Sequence, residues 1–500
     1  MVTRRDSGDT TTKGITAYLL FLVLVATTGP LQFGYHLAEL NAPQAVITCK
    51  KREIVTYGLS FLPQCISMTP AEFGLVSSIY TLGGVLGALA AGPCSTRYGR
   101  LQTMRLTTVF HTLGPVFEAF APNIPVLALG RVLSGIGSGA ALVIVPVYVS
   151  EIAPPDGKGL FGALTQVMIN VGILIAQLLG YFLSRGQLWR IVLAVGGFIG
   201  FAQFLGLFGA SESPQWLGAH GKALAARRLL KRIRGERGNI EAEVQAWGGG
   251  IGATGDDPIE EEALLAPQPG TSRRGSENMD SASAATGHVG VLDVLRIPLY
   301  RPAIIAVVGV MLAQQLCGIN SIVMYSVDLL SELLPTTSAL LTVFVSAMNL
   351  VTTIICAPLA DRLGRKVCLL LSIAGMGLNA LLLAISIFLA IPILSAIATV
   401  LFVASFAVGL GPVPFILASE LVGQEAVGAT QSWALVANWS ATFLVAQFFP
   451  VLNTALGRGR VYYVFAGLAA FFFAFVWWLV PETKGKRDAD EVWGRERRVD

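Results

Sequence analysis

Charge is what this sequence has least of. Asp, Glu, Lys and Arg make up 13% of its 500 residues, about half the share of an ordinary soluble domain. Histidine is scarcer still, with four copies, and the six cysteines form no CxxC pair or Cys/His cluster. A metal site is therefore not implied. No GxxxxGK[ST] loop is present to cradle nucleotide phosphates, so direct ATP drive lacks its motif. No nucleophile–base pair stands out, which leaves an enzyme without support and calls for no cofactor. The loops predicted on the side away from the termini hold no Asn-x-Ser/Thr sequon. The single match, Asn438-Trp439-Ser440, falls inside an apolar run.

What fills the chain instead is apolar, 54% of it. About 20 such residues in a row cross a bilayer. Twelve windows qualify: 17–35, 73–93, 105–122, 126–149, 160–183, 188–209, 302–327, 338–360, 367–390, 392–415, 431–452 and 461–480. The expected fold is an all-α integral membrane protein. The weakest window is 105–122, with Arg105, His111 and Glu118; Glu118 is expected near the outer interface. Both termini share one side, and the tails and short loops there carry fifteen Lys and Arg against six opposite. That places the termini in the cytosol. The net charge of +4 then reflects topology, and nucleic acid is not expected as a partner; the lipid bilayer is. The first apolar window lacks a small-residue cleavage site, so no signal peptide is expected.

The windows group six and six. Residues 1–16 form a tail, 17–209 a first half, 210–301 a linker, 302–480 a second half and 481–500 a second tail. Within the linker, ALAARRLLKRIRG (223–235) has helical periodicity, whereas the Gly-, Ser- and Pro-rich stretch after it reads as disordered. The halves echo each other. Arg97 of TRYGR and Arg362 of DRLGR lie 265 residues apart, Glu151 and Glu420 269 apart, and Glu212 and Glu482 270 apart. Three motifs at nearly one offset imply a duplicated six-span unit, in which solute binds between the repeats.

Against this apolar background the run QQLCGINSIVMYS (314–326) is anomalous. Gln314, Gln315 and Asn320 each offer a carbonyl acceptor and two N–H donors, and hydrocarbon satisfies neither. A polar group buried without a partner costs roughly 2–7 kcal/mol. Two readings stand: the amides bond neighbouring helices, or they face a cavity holding an alcohol-rich solute. Gly318 is placed to loosen the helix between them. Tyr325 is either a gate or plain packing. Glycines 83 and 87, and 135 and 139, have the spacing that brings helices close.

The remaining motifs are LQFGY (31–35), NAPQ (41–44), GRVLSGIGSG (130–139), PVYVSEIAP (146–154), GILIAQ (172–177), DRLGRK (361–366), GPVPF (411–415), SEL (419–421), NW (438–439) and PETKG (481–485). In this set and order they resemble the sugar porter family of the major facilitator superfamily, close in pattern to facilitative glucose transporters and to fungal-type members. The resemblance implies a major facilitator fold and transport of a hexose-like sugar by alternating access, expected to be facilitative uniport. A proton-coupled symporter of a sugar or polyol is the first alternative. A non-transporting nutrient sensor is the second, and the short stretch after Lys484 counts against it.

The resemblance also assigns residues. Sugar contacts fall on Gln166, Gln314, Gln315, Asn320, Asn349, Asn438 and Trp439, with Phe415 where glucose carriers have tryptophan. Met311 and Ala407 stand where a glutamine and a glutamate are usual, which puts D-glucose itself in doubt more than the sugar class. Arg97, Arg131, Glu151, Lys158, Arg362, Arg365 and Glu420 resemble the cytosolic ion-pair network that holds the halves together when the cavity opens outward. Val427 and Gln215 replace two of that network's arginines. His36 occupies the place of the carboxylate used by proton-coupled members. It is expected at the outer mouth, with no other carboxylate deep in a span. Cys49 and Cys65 share an outer loop and can pair if that side is oxidising. In the linker, Glu260, Leu264 and Leu265 fit an acidic-dileucine signal read by sorting adaptors, favouring a vacuolar over a plasma membrane. Ser276 follows two arginines, as a basophilic kinase site would.

Overall fold

The computed structural model describes residues 16–51, 62–154, 158–235, 240, 244, 293–331, 338–423, 426–457, 459–486 and 489–494. Regular structure among them is entirely α-helical. The first half comprises α1 (Ala17–Ala38), the short α2 (Gln44–Ile47), α3 (Pro70–Tyr98), α4 (Arg100–Ala119), α5 (Ile124–Ile152), α6 (Lys158–Leu183) and α7 (Trp189–Gly206). The linker contributes α8 (Pro214–Ala219), α9 (Ala223–Arg234) and α10 (Asp293–Arg296). The second half comprises α11 (Arg301–Leu316), α12 (Ile319–Leu330), α13 (Ser338–Cys356), α14 (Leu359–Leu363), α15 (Arg365–Phe388), α16 (Pro392–Val408), α17 (Val413–Glu420), α18 (Val427–Ala455) and α19 (Val461–Leu479), followed by α20 (Ala489–Val492).

Among the described residues, eleven spans are long and apolar enough to cross a membrane, with α11–α12 and α16–α17 each counted as one broken span. The twelfth is α4, of 20 residues, less apolar for the residues that marked its window as weakest. Large apolar side chains such as Trp478, Ile393 and Phe198 are 71–80% exposed on the outside, a surface that suits lipid. Twelve alternating spans put the start of α1 and the end of α19 at one face, hereafter the terminal face.

Local chemistry explains where helices begin. At α3, Thr69 and Glu72 form a capping box ahead of Pro70. Tight packing follows from glycine: a Cβ on Gly139 would lie 1.9 Å from the Gly84 oxygen, and one on Gly87 2.0 Å from the Ile136 oxygen. Helices α3 and α5 approach that closely only because both sides are bare. The halves meet along α3 with α18 and α6 with α13.

The sequence repeat is a structural repeat. Glu212 accepts the backbone N–H groups of Arg100 at 2.8 Å and Leu101 at 3.0 Å, capping α4. Glu482 accepts those of Arg365 at 2.8 Å and Lys366 at 3.2 Å, capping α15. A carboxylate at a helix N-terminus satisfies orphan donors and meets the positive dipole end. The preceding Gly99 and Gly364 have φ of +92° and +107°, and a Cβ on either would strike the glutamate within 2.4 Å. Helix α9 is tied to the start of α1 and the end of α5: Thr16 donates to the Ile233 carbonyl at 2.7 Å, and Arg234 to those of Ile152 and Ala153.

Candidate functional site

A cavity lies between the halves, with about 550 Å³ of empty space when its open mouth is counted. The first half lines it with Phe33, Leu37, Leu142, Gln166, Ile169, Asn170 and Ile173. The second half adds Gln314, Gln315, Ile319, Asn320, Val323, Asn349, Phe406, Phe415, Asn438 and Thr442. Of the residues expected to contact solute, all but Trp439 line this space. Trp439 is buried behind it, edge-on to Phe33 and Tyr80 and against Gly84. Its bulk shapes the wall from the rear.

The amides answer both readings at once. Asn320 donates to Gln315 Oε1 at 2.6 Å, Gln315 to Gln314 Oε1 at 3.1 Å, and Asn438 to the same oxygen at 2.5 Å. Gln314 donates to the Leu410 carbonyl at 2.6 Å and to that of Gly411 at 3.1 Å. Those carbonyls are free because the chain breaks at 409–412, between α16 and α17. The break at Cys317–Gly318, with Gly318 at φ +99°, sets Asn320 back against Gln315. The result is a hydrogen-bonded chain of amides along a wall, in which Gln315 Nε2, with one acceptor, retains a hydrogen for a second partner.

The end away from the terminal face is closed by α12. Asn41 donates to the Val323 carbonyl at 2.9 Å and Ser326 Oγ at 3.0 Å, and accepts from the Val327 N–H at 3.2 Å. Gln177 donates to the Val323 carbonyl at 3.2 Å. Tyr325 is buried, donating to the Ala446 carbonyl at 2.6 Å and stacked on Phe449. Cys49 and Cys65 are joined by a disulfide in the loop at this end.

At the terminal face the charged residues pair differently from the expected network. Arg100 holds Glu151 at 2.7 Å, and Arg365 holds Glu420 at 2.9 Å. Each pair joins elements of one half, so neither bridges the halves. Arg100 takes the role given to Arg97, whose guanidinium lies 5.4 Å over the Tyr98 ring. Arg362 is exposed at the end of α14. Lys158 opens α6, and its side chain lies outside the described residues, as do Glu260, Leu264, Leu265 and Ser276.

Arg131 departs furthest. It lies near the start of α5, fully buried at the far end from Glu151. It donates to Glu39 Oε1 at 2.6 Å and to the His36 carbonyl at 2.8 Å. Glu118, one residue from the end of α4, is sealed inside the protein, accepting from Ser134 at 2.7 Å with its other oxygen 3.9 Å from Arg131. His36 is likewise buried rather than at a mouth, its Nδ1 3.0 Å from Glu39. His36, Glu39 and Glu118 have ligand atoms within 4.8 Å of one another. Two carboxylates thus face one guanidinium, so with both ionised the group would need one further positive charge, a proton or a cation, to be neutral. Glu39, just past α1, and Glu118, at the end of α4, are thus two fully buried carboxylates that the sequence reading did not single out beside His36. Glu39 lies one turn after His36, a spacing visible in the sequence. Asn170, one turn after Gln166 on the same face, escaped notice equally.

The model of the sugar (and other) transporter family matches residues 22–254 and 260–491. A probable metabolite transport protein of Saccharomyces cerevisiae is 33% identical over 96% of each chain. Vacuolar protein sorting-associated protein 73 of the same yeast is 31% identical, covering 94% of this chain and 95% of that one. The facilitated glucose transporter member 3 of solute carrier family 2 from Ovis aries is 30% identical over 95% and 92%. Among solved structures, a partially occluded inward-open conformation of the xylose transporter XylE from E. coli superposes with a TM-score of 0.73. That match is 25% identical and covers 94% of this chain and 100% of the other.

Proposed function

We propose, for a chain that belongs to the sugar (and other) transporter family, that it carries a hexose-like sugar across a membrane as a facilitative uniporter. The observation that carries this reading is the amide-lined cavity between two repeats. Hydroxyl groups both give and accept hydrogen bonds, as amides do. At about 0.5–1.5 kcal/mol net per bond, several such bonds give millimolar-scale binding, near −4 kcal/mol, weak enough to release cargo. The terminal face is the cytosolic one in this reading. Closure by α12 at the opposite end, where Lys50 and Asp328 pair across the halves at 3.3 Å, while the terminal-face pairs Arg100–Glu151 and Arg365–Glu420 each stay within one half, supports a carrier facing the cytosol. Solute biases a pre-existing equilibrium between this state and its counterpart.

A second reading, proton symport, is favoured by one observation: with both carboxylates ionised, the group His36, Glu39, Glu118 and Arg131 lacks one positive charge. Purified protein in liposomes separates the two. Uptake of labelled hexoses that equilibrates but never concentrates, whatever pH gradient is imposed, supports uniport. Accumulation driven by the gradient replaces it with symport. Folded protein that moves no hexose overturns both.

The vacuolar membrane is the proposed location. The name of the yeast relative and the acidic-dileucine pattern at Glu260, Leu264 and Leu265 support it.

A further inference from the structure

Helix α9 has no part in the cavity, and its two faces differ. Ala226, Leu230 and Ile233 are buried against the first half. Leu224, Arg228, Lys231 and Arg232 are exposed, and their spacing puts them together on the opposite face. The helix carries the cations Arg227, Arg228, Lys231, Arg232 and Arg234 and no carboxylate. Arg234 donates to the carbonyls that end α5. Among the described residues, no carboxylate pairs with Arg228, Lys231 or Arg232. The depth of this face is set by Arg232, whose guanidinium lies 3.9 Å over the Tyr18 ring. Tyr18 is the second residue of α1, and its ring stacks on Phe21. Leu20, Phe21 and Leu24 are 38–61% exposed and begin the lipid-facing side of α1. From Tyr18 to Phe21 is about 4.5 Å of helix, and a headgroup layer is about 5–7 Å thick. Arg232 therefore stands at headgroup depth, with Arg228 and Lys231 within a turn of it. The second half differs: α20, which follows its last span, has Asp490 and Glu491 and no cation.

We infer that the exposed face of α9 is a docking surface for anionic lipid headgroups in the leaflet at the terminal face. Charge selects the occupant. A row of cations beside a lipid-facing helix attracts acidic headgroups over neutral ones, and the attraction falls off within a Debye length. Bound lipid holds α9 to the membrane and, through Thr16 and Arg234, the start of α1 and the end of α5 with it. The anchor belongs to the first half, so the two halves respond unequally to the charge of the leaflet. The inference does not depend on which solute is carried.

The test places the full-length protein in nanodiscs of phosphatidylcholine, alone or mixed equally with phosphatidylserine. Backbone hydrogen exchange along 224–234 is followed by mass spectrometry. In wild type, exchange there should be about three- to tenfold slower in the serine-containing discs, and high salt should abolish the difference. Arg228→Gln/Lys231→Gln/Arg232→Gln should exchange alike in both discs. Arg232 also packs on Tyr18, so Arg228→Gln/Lys231→Gln is the milder variant: it keeps that contact and should still lose most of the response. Wild type that exchanges alike in both discs overturns the inference, as does a triple variant that responds like wild type. The acidic run of the linker, 256–262, is the rival occupant. If α9 is already protected in phosphatidylcholine alone, and Asp256→Asn/Asp257→Asn/Glu260→Gln/Glu261→Gln/Glu262→Gln removes that protection, the face is covered by the chain itself and the lipid reading falls.

Discussion

At the scale of single residues, Arg131 is tolerated in the interior because Glu39 lies 2.6 Å away. Removing one partner of a buried pair strands the other charge, at a cost of about 3–5 kcal/mol. Arg131→Met is therefore expected to lower the thermal unfolding midpoint sharply in detergent, and Arg131→Met with Glu39→Gln to recover much of it. Equal stability of wild type and the single variant would refute the pairing. The sequence showed that Arg131 mattered and misplaced it. Arg131 and Glu151 are 20 residues apart on α5, about 30 Å of helix, so they cannot share a face of the bundle. Motif resemblance said nothing of depth, although counting along the helix did. The cavity amides were legible because a polar side chain in an apolar run has few explanations. Trp439 was less so, since an aromatic in a span reads alike whether it lines a cavity or backs one.

At the scale of elements, the breaks matter more than the helices. Gly318 combines φ of +99° with a site where a Cβ would lie 2.6 Å from the Phe465 ring. Gly318→Ala meets a left-handed penalty of about 1–2 kcal/mol and a clash besides. It should lose folded yield and transport together, while Gly92→Ala, where nothing lies within 4 Å, should resemble wild type. Retained transport in Gly318→Ala would mean that the break tolerates a side chain. Twelve windows could be read from hydropathy because a bilayer imposes length. The break at 409–412 was also written, in the glycines and prolines of GLGPVP (409–414); a window average smooths over it.

At the scale of the whole molecule, the repeat was legible from three offsets, but the ion pairs were not. Which carboxylate an arginine meets depends on how the helices within each half pack against one another, and hydropathy carries no record of that. The membrane of residence is also a whole-molecule property. A fluorescently tagged chain is expected at the vacuolar membrane, and Leu264→Ala with Leu265→Ala is expected to move it to the plasma membrane. A distribution unchanged by the double substitution would remove the signal from the account. Finally, Glu212 and Glu482 cap their helices in the same way, behind glycines of the same unusual conformation. The chain therefore holds two copies of one device in different surroundings. Any inequality between them is a direct gauge of how far the duplicated halves have parted company, and it is read within a single molecule without recourse to a relative.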